Sequence, residues 1–306
     1  MKQFTAENFL IFHVKKEEEN IKMREFLEKR GLSSRYIRRS VRQRDIYLNK
    51  NLLLDNRSLK EKDEVSISLG KESLNVNPQF RELDIIYEDE DLILINKEPH
   101  MVTHTAKDDR ENTLLNYVGG YFVRQEIQRK VRFVNRLDRD TSGIIIVAKN
   151  SFAHSMVAKQ MERGLITKKY KAICLGAFQQ KQGRITGKIQ LAPDGIHREI
   201  GDAGKEACTD FRVLSERKIK DRIYTLVDLV LHTGRTHQLR VHLQSLGHPI
   251  GGDQLYGGDD PLLDRQALHS YYLEFTHPRT GKKLQFEAES PEDFKRIFQN
   301  GDLQSD

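Results

Sequence analysis

Apolar positions along the chain fall into two kinds of rhythm. From Ile21 to Arg30, Met23, Phe26 and Leu27 recur at helical spacing, and Gly31 follows where a helix C-cap glycine stands. A second helical stretch begins at Ser33 or Ser34, with Tyr36, Ile37, Ser40 and Val41 on one side and Arg35, Arg38, Arg39 and Arg42 on the other. Ile46 to Asn49 and Leu52 to Leu54 flank an Asn49-Lys-Asn51 turn, and Lys62 to Leu69 alternates with period two, which predicts a strand. Lys71 to Arg81 is polar, contains Pro78 and has no period, so a linker is expected there.

Beyond it, strands are predicted at Ile85 to Tyr87, Leu92 to Asn96, Val131 to Val134, Ile144 to Ala148, Lys169 to Leu175, Cys208 to Val213, Tyr224 to Leu231, Tyr271 to Thr276 and Lys283 to Glu287. Helices are predicted at Thr113 to Val123, Phe152 to Arg163, Thr236 to Leu246 and Pro291 to Gln299. Runs of strands broken by single helices predict an α+β fold around a mixed, mainly antiparallel sheet, and argue against a doubly wound one. The expected division is 1–72, a linker at 73–82, and 83–306.

Composition narrows the function. The chain has 306 residues, enough for about two domains, with 37% hydrophobic and 31% charged residues, which excludes a disordered chain. No apolar run reaches the ~20 residues of a membrane helix, and Met1 to Phe9 lacks a basic segment followed by an apolar one. A soluble cytoplasmic protein, taken as a monomer and without membrane contact, is expected. Cys174 and Cys208 stand apart, so neither a disulfide framework nor a cysteine zinc site is encoded. The net charge is +6, yet Lys22 to Arg44 alone carries nine Lys or Arg against Glu25 and Glu28. The basic character is therefore local, and structured nucleic acid is the expected partner.

Candidate chemistry sits in two polar stretches. Asn135-Arg-Leu-Asp-Arg-Asp-Thr-Ser-Gly143 is a loop between two apolar strands, where reactive groups are commonly held. Asp140 to Gly143 reads as a type I turn, giving Asp140 a structural part, whereas Asp138 has no such local use. The second stretch, Leu231 to Leu243 with Gly247 to Gly257, places Thr236 as the cap of a helix carrying His237 and Arg240. His232, His237, His242 and His248 lack a zinc-binding spacing and read as satisfied structural histidines, so no metal is expected.

The N-terminal layout, with Ser33-Ser-Arg-Tyr-Ile37, the basic helix, Ile46-Tyr-Leu-Asn-Lys50 and Lys62-Asp-Glu-Val65, resembles the RNA-binding domain first recognised in small-subunit ribosomal protein four. Lys50 and Lys62 stand where that module usually has glycine. Arg136-Leu-Asp-Arg-Asp-Thr-Ser-Gly143, Gly234-Arg-Thr-His-Gln-Leu-Arg-Val-His242 and Gly247-His-Pro-Ile-Gly-Gly-Asp253 with Tyr256-Gly resemble the RluA family of pseudouridine synthases, as do Tyr87 to Pro99 and Ala267 to Pro278. The departures are Asn135 in place of a histidine and Lys97-Glu-Pro-His100 in place of K-P-x-G.

That resemblance implies isomerisation of uridines in structured RNA, large-subunit ribosomal RNA above all, without a cofactor. It further implies Asp138 as catalytic aspartate, Arg240 paired to it, Tyr170 stacking on the base, Arg136 displacing the base from its helix, and Leu268 as an apolar wall. Arg35, Arg38, Arg39 and Arg42 would bind RNA. Two other readings remain open on sequence: a magnesium-dependent RNA hydrolase using Asp138 with Asp140 or Asp253, and a lapsed RNA-binding or ribosome-assembly protein.

Overall fold

The computed structural model describes residues 4–104 and 111–298. The N-terminal part contains β1 (Phe9–His13), α1 (Met23–Lys29), α2 (Ser34–Arg42), β2 (Ile46–Leu48), β3 (Asn51–Leu52) and β4 (Glu64–Ser68), with the strands paired antiparallel in the order β1-β4-β2-β3. Helix α1 ends as its sequence dictates: Gly31 is left-handed at φ 87°, Leu32 N–H donates to Leu27 C=O and Gly31 N–H to Glu28 C=O. Ser33 caps α2 by accepting from Tyr36 N–H at 3.2 Å.

The two lysines at glycine positions keep the glycine geometry, with φ 66° at Lys50 and 68° at Lys62. His100, in the glycine place of K-P-x-G, stands at φ 59°. Side chains in this region carry strain of about 1 kcal/mol or more. Lys50→Gly and Lys62→Gly should therefore each raise stability by up to about 1 kcal/mol, read as a higher urea midpoint. A lower midpoint for both would show that the turns depend on the lysine side chains.

The larger part comprises β5 (Ile85–Glu88), β6 (Leu92–Lys97), α3 (Leu114–Arg124), β7 (Arg132–Phe133), β8 (Ser142–Ala148), α4 (Ser151–Glu162), β9 (Thr167–Leu175) and β10 (Gln182–Leu191). These are followed by β11 (Arg198–Ile200), β12 (Lys205–Ile219), β13 (Arg222–Leu231), α5 (Gln238–Ser245), β14 (Leu268–Thr276), β15 (Lys283–Glu287) and α6 (Glu292–Phe298). Their sheet runs β11-β10-β12-β13-β9-β14-β8-β6-β5, with β15 on β14 and β7 on β8. Among the described strands only β14 and β8 pair parallel, so the sheet is mixed and mainly antiparallel, as the sequence predicts. One apolar layer, with Ile145, Val147, Tyr170, Ile173, Leu229 and Leu268, covers one face together with α3, and a second, with Leu94, Ile146 and Phe275, takes α4 on the other.

Three features depart from the expectation. Strands β1, β10 and β11 carry no clear sequence signal, and β12 runs on through charged residues to Ile219. Gly183 and Gly187 in β10 weaken its propensity, but their faces are covered by Phe211 and Ile200 from the neighbouring strands. The segment 71–81, expected as a linker, contains neither helix nor strand, yet it is tied down. Gln79 N–H donates to Asn116 C=O, Asn116 Nδ2 to Asn77 C=O, and Val131 N–H to Asn75 Oδ1. A Cβ on Gly120 would stand 2.0 Å from Gln79 O, so the glycines of α3 admit this chain.

Helix α4 also holds the N-terminal part. Phe152 lies edge-on to Phe12, Met156 fills the space that a side chain on Gly31 would take, and Lys159 donates to Gly31 C=O. Across the same seam Arg279 grips Asp91 with Nε and Nη2 and donates from Nη1 to Phe9 C=O at 2.8 Å.

Candidate active site

The loop between β7 and β8 is fixed from both sides of Asp138. Thr103 Oγ1 donates to Leu137 C=O at 3.0 Å, and Lys97 Nζ donates to Arg139 C=O at 2.8 Å as well as to Glu98 and Met101 C=O. Burial pulls the Lys97 amine down to about 7, against the carboxylates of Asp140 and Asp138 nearby. Asn135 clamps the loop entry by donating to Ile144 C=O and accepting from Ile146 N–H. Asn135, which departs from the family pattern, thus supports the loop's backbone, and neither it nor Lys97 to His100 lines the pocket.

The turn itself lies two residues earlier than the sequence suggests. Thr141 N–H donates to Asp138 C=O at 3.2 Å, so Asp138 opens the turn and its side chain is free to face outward. Asp140 pairs with His100 at 3.2 Å. Gly143 is required beyond it, because a Cβ there would meet Ser270 O at 2.2 Å where β8 and β14 run side by side.

Facing this loop, α5 begins at Gln238, not at the expected Thr236 cap. His237 adopts φ 56° and ψ 18°, which interrupts the helical run, and Gln238 Oε1 accepts from Arg235 N–H and Thr233 Oγ1, which ties the preceding turn to the helix without capping it. Arg240 is buried. Its Nε and Nη2 fork onto Asp253 at 2.6 and 2.7 Å, and its Nη1 lies 3.5 Å from Asp138 Oδ2. The expected pair therefore holds only in part: Asp253 is the main partner, and Arg240 bridges two carboxylates. Tyr256 stacks on the guanidinium at 4.9 Å.

Asp138 stands where two adjoining cavities of about 140 and 480 Å3 share Arg136, Leu137, His237 and Arg240. Tyr170 and Leu268, from neighbouring strands β9 and β14, line the smaller one. Tyr170 is at once core and wall, and burial pushes its hydroxyl up to about 12. Arg136 is exposed at the mouth. Burial, then Arg240 and Arg198 against Asp138 and Asp253, holds His237 below the ordinary histidine value.

The structure thus brings together Asp138, Arg240, Tyr170, Arg136 and Leu268. Arg35, Arg38, Arg39 and Arg42 lie elsewhere, exposed on α2 around a groove of about 630 Å3 that Tyr36 and Ser155 of α4 also line. Tyr256 was visible only as part of a motif, and Asp253 only there and as a candidate magnesium ligand. Of the four histidines, His232 pairs with Asp210, His242 with Thr209, and His248 stacks on Phe178, while His237 alone enters the pocket.

Asp253 is sealed by Arg240, which removes it as a magnesium ligand. Among the described residues, Cys208, Asp210 and His232 are near enough to share an ion, but they line neither cavity. Arg184 binds Asp210 through two bonds and holds its carboxyl below the ordinary range, so a guanidinium already occupies that carboxylate.

The model of the family described as RNA pseudouridylate synthase matches residues 91–245, which contain the whole loop around Asp138 and α5. The chain belongs to this family. A Bacillus subtilis protein described as the uncharacterized RNA pseudouridine synthase YhcT is 40% identical over 82% of this chain and 83% of its own. Ribosomal large subunit pseudouridine synthase D of Escherichia coli is 33% identical over 75% and 73%. Among solved structures, human RNA Pseudouridylate Synthase Domain Containing 1 superposes with a TM-score of 0.59 at 29% identity, over 69% of this chain and 84% of that one. The enzyme is a pseudouridine synthase, an isomerase acting on RNA. No helix among the described residues is long and apolar enough to cross a membrane.

Proposed function

We propose that this chain isomerises specific uridines of large-subunit ribosomal RNA, as a cytoplasmic monomer, with Asp138 as the reactive carboxylate. The observation that carries the assignment is the meeting of Arg240 and His237 at Asp138 on the wall of a pocket floored by Tyr170 and Leu268. The likeness to enzymes named for the large ribosomal subunit supports the RNA class.

The reaction detaches uracil from C1′, turns it and rejoins it through C5, with no net redox change. Asp138 serves by attacking C1′, by attacking the ring, or by taking a ribose proton, and each route needs an ionised carboxylate at the glycosidic bond. A uridine in a helix must first leave its stack, at a few kcal/mol. Arg136 at the mouth would fill the vacancy, and Tyr170 with Leu268 would receive the base.

The N-terminal part, read as a domain over 1–72, supplies affinity. Its α2 arginines are exposed, with Arg39 laid over the Tyr36 ring, and would meet phosphates on structured RNA. Replacing Arg38, Arg39 and Arg42 by Glu should weaken binding to such RNA and flatten its salt dependence, each lost phosphate contact removing roughly 0.7 to 0.9 from the log–log slope. Filter binding across a salt series measures this, and an unchanged slope would show the helix to be merely solvated. Tritium release from 5-tritiated uridine in large-subunit RNA compared with transfer RNA tests the substrate class.

A further inference from the structure

His237 occupies a backbone conformation that its side chain disfavours. At φ 56° it precedes α5 without capping it, and strain of this kind in a pocket points to a side chain whose direction matters. Its ring Nδ1 lies 3.0 Å from the Tyr256 hydroxyl. That same hydroxyl oxygen accepts Arg198 N–H at 2.8 Å. In the proposed arrangement this hydroxyl gives its own hydrogen to Nδ1. The ring is then protonated on Nε2, the atom that stands 3.9 Å from Asp138 Oδ2.

We propose that His237 is a positioning residue for Asp138. The chain Arg198 N–H, Tyr256 O–H, His237 Nδ1 fixes a neutral imidazole whose Nε2–H is aimed at Asp138 Oδ2. This rests on the assignment of Asp138 as the reactive carboxylate. Arg240 Nη1 approaches the same oxygen at 3.5 Å, so both donors converge on Oδ2 and leave Oδ1 for the substrate. Neither distance is a hydrogen bond in the free protein, and both close when a uridine fills the pocket. A neutral ring agrees with its surroundings: burial and the neighbouring Arg240 and Arg198 disfavour an imidazolium, against Asp138 and Asp253. The Tyr256 hydroxyl is likewise held in its protonated form by burial.

Three substitutions separate this role from a backbone one. The amide nitrogen of Gln reaches the place of Nε2, whereas that of Asn reaches only the place of Nδ1. Asn, however, is the better residue at positive φ. On full-length RNA, His237→Gln should stay within a few fold of the parent in kcat. His237→Asn and His237→Ala should lose about 10- to 100-fold, with KM within a few fold, as for a lost bond to a charged group. Long-range proton–nitrogen NMR of the unsubstituted protein should show His237 protonated on Nε2 and bare on Nδ1.

An order with Asn near parental and Gln poor would reduce His237 to a backbone role. A proton on Nδ1 would break the relay. Asp138→Asn is assayed alongside: if it is inactive while all three His237 variants are parental, the relay alone is wrong. If Asp138→Asn is active, the assignment beneath it fails as well.

Discussion

Asp138→Asn is expected to reduce pseudouridine formation by about 1000-fold or more. Asparagine has the shape of aspartate but can neither attack carbon nor accept a proton at the rate required. Structural damage should be small. The loop is held through the carbonyls of Leu137 and Arg139 and through Asn135, none of which involves the Asp138 side chain. Arg240 keeps its fork on Asp253, so no buried charge loses its principal partner. Stability should stay within about 1 kcal/mol, because the contact removed is a partly exposed 3.5 Å pair. RNA affinity should stay within a few fold, since the α2 surface is untouched. Asp140→Asn should be far milder, as its partner is the exposed His100. Near-parental tritium release from the Asp138 variant would show that another group performs the chemistry.

The second large effect is at Arg240, where stability and catalysis are entangled and separable. Arg240→Met leaves Asp253, 1% exposed, without its ion partner. Breaking a buried pair in this way typically costs about 3 to 5 kcal/mol. The single variant should therefore be both unstable and inactive. Arg240→Met with Asp253→Asn removes the stranded charge and should recover much of the stability while remaining inactive, because Nη1 no longer faces Asp138. Arg240→Lys keeps one charge but cannot fork onto Asp253 and reach Asp138 at once, so kcat should fall by about 10- to 150-fold. Urea titrations and single-turnover assays on the three variants measure the two effects separately. Activity in the stabilised double variant would make Arg240 a packing residue only.

Much of the fold was legible because its strands are continuous apolar runs: Leu92 to Ile95 and Ile144 to Ala148 pair as β6 and β8 where their pattern places them. What stayed hidden depends on partners far along the chain. Strand β10 alternates poorly because Gly183 and Gly187 are completed by Phe211 and Ile200. Asn75 and Asn77 look like linker residues until Val131 and Asn116 meet them.

The site shows the same division. Asp138 and Arg240 were named from motif residues 102 positions apart, and β8, β14 and α5 bring them to 3.5 Å. Periodicity could not reveal that Arg240 serves Asp253 first, since Asp253 lies in a loop without a regular pattern. Nor could it give His237 its role, because a left-handed residue before a helix leaves no mark in composition; the motif spacing His237 to Arg240 was the only trace.

Pseudouridines can be mapped in large-subunit ribosomal RNA from cells lacking the gene, with the parental gene restored, and with the Asp138→Asn gene restored. At least one uridine should lose its modification in the deletion, regain it with the parental gene, and stay unmodified with Asp138→Asn. A large-subunit map identical in all three strains, or a site restored as fully by Asp138→Asn as by the parent, would contradict the proposal that this chain modifies large-subunit RNA through Asp138.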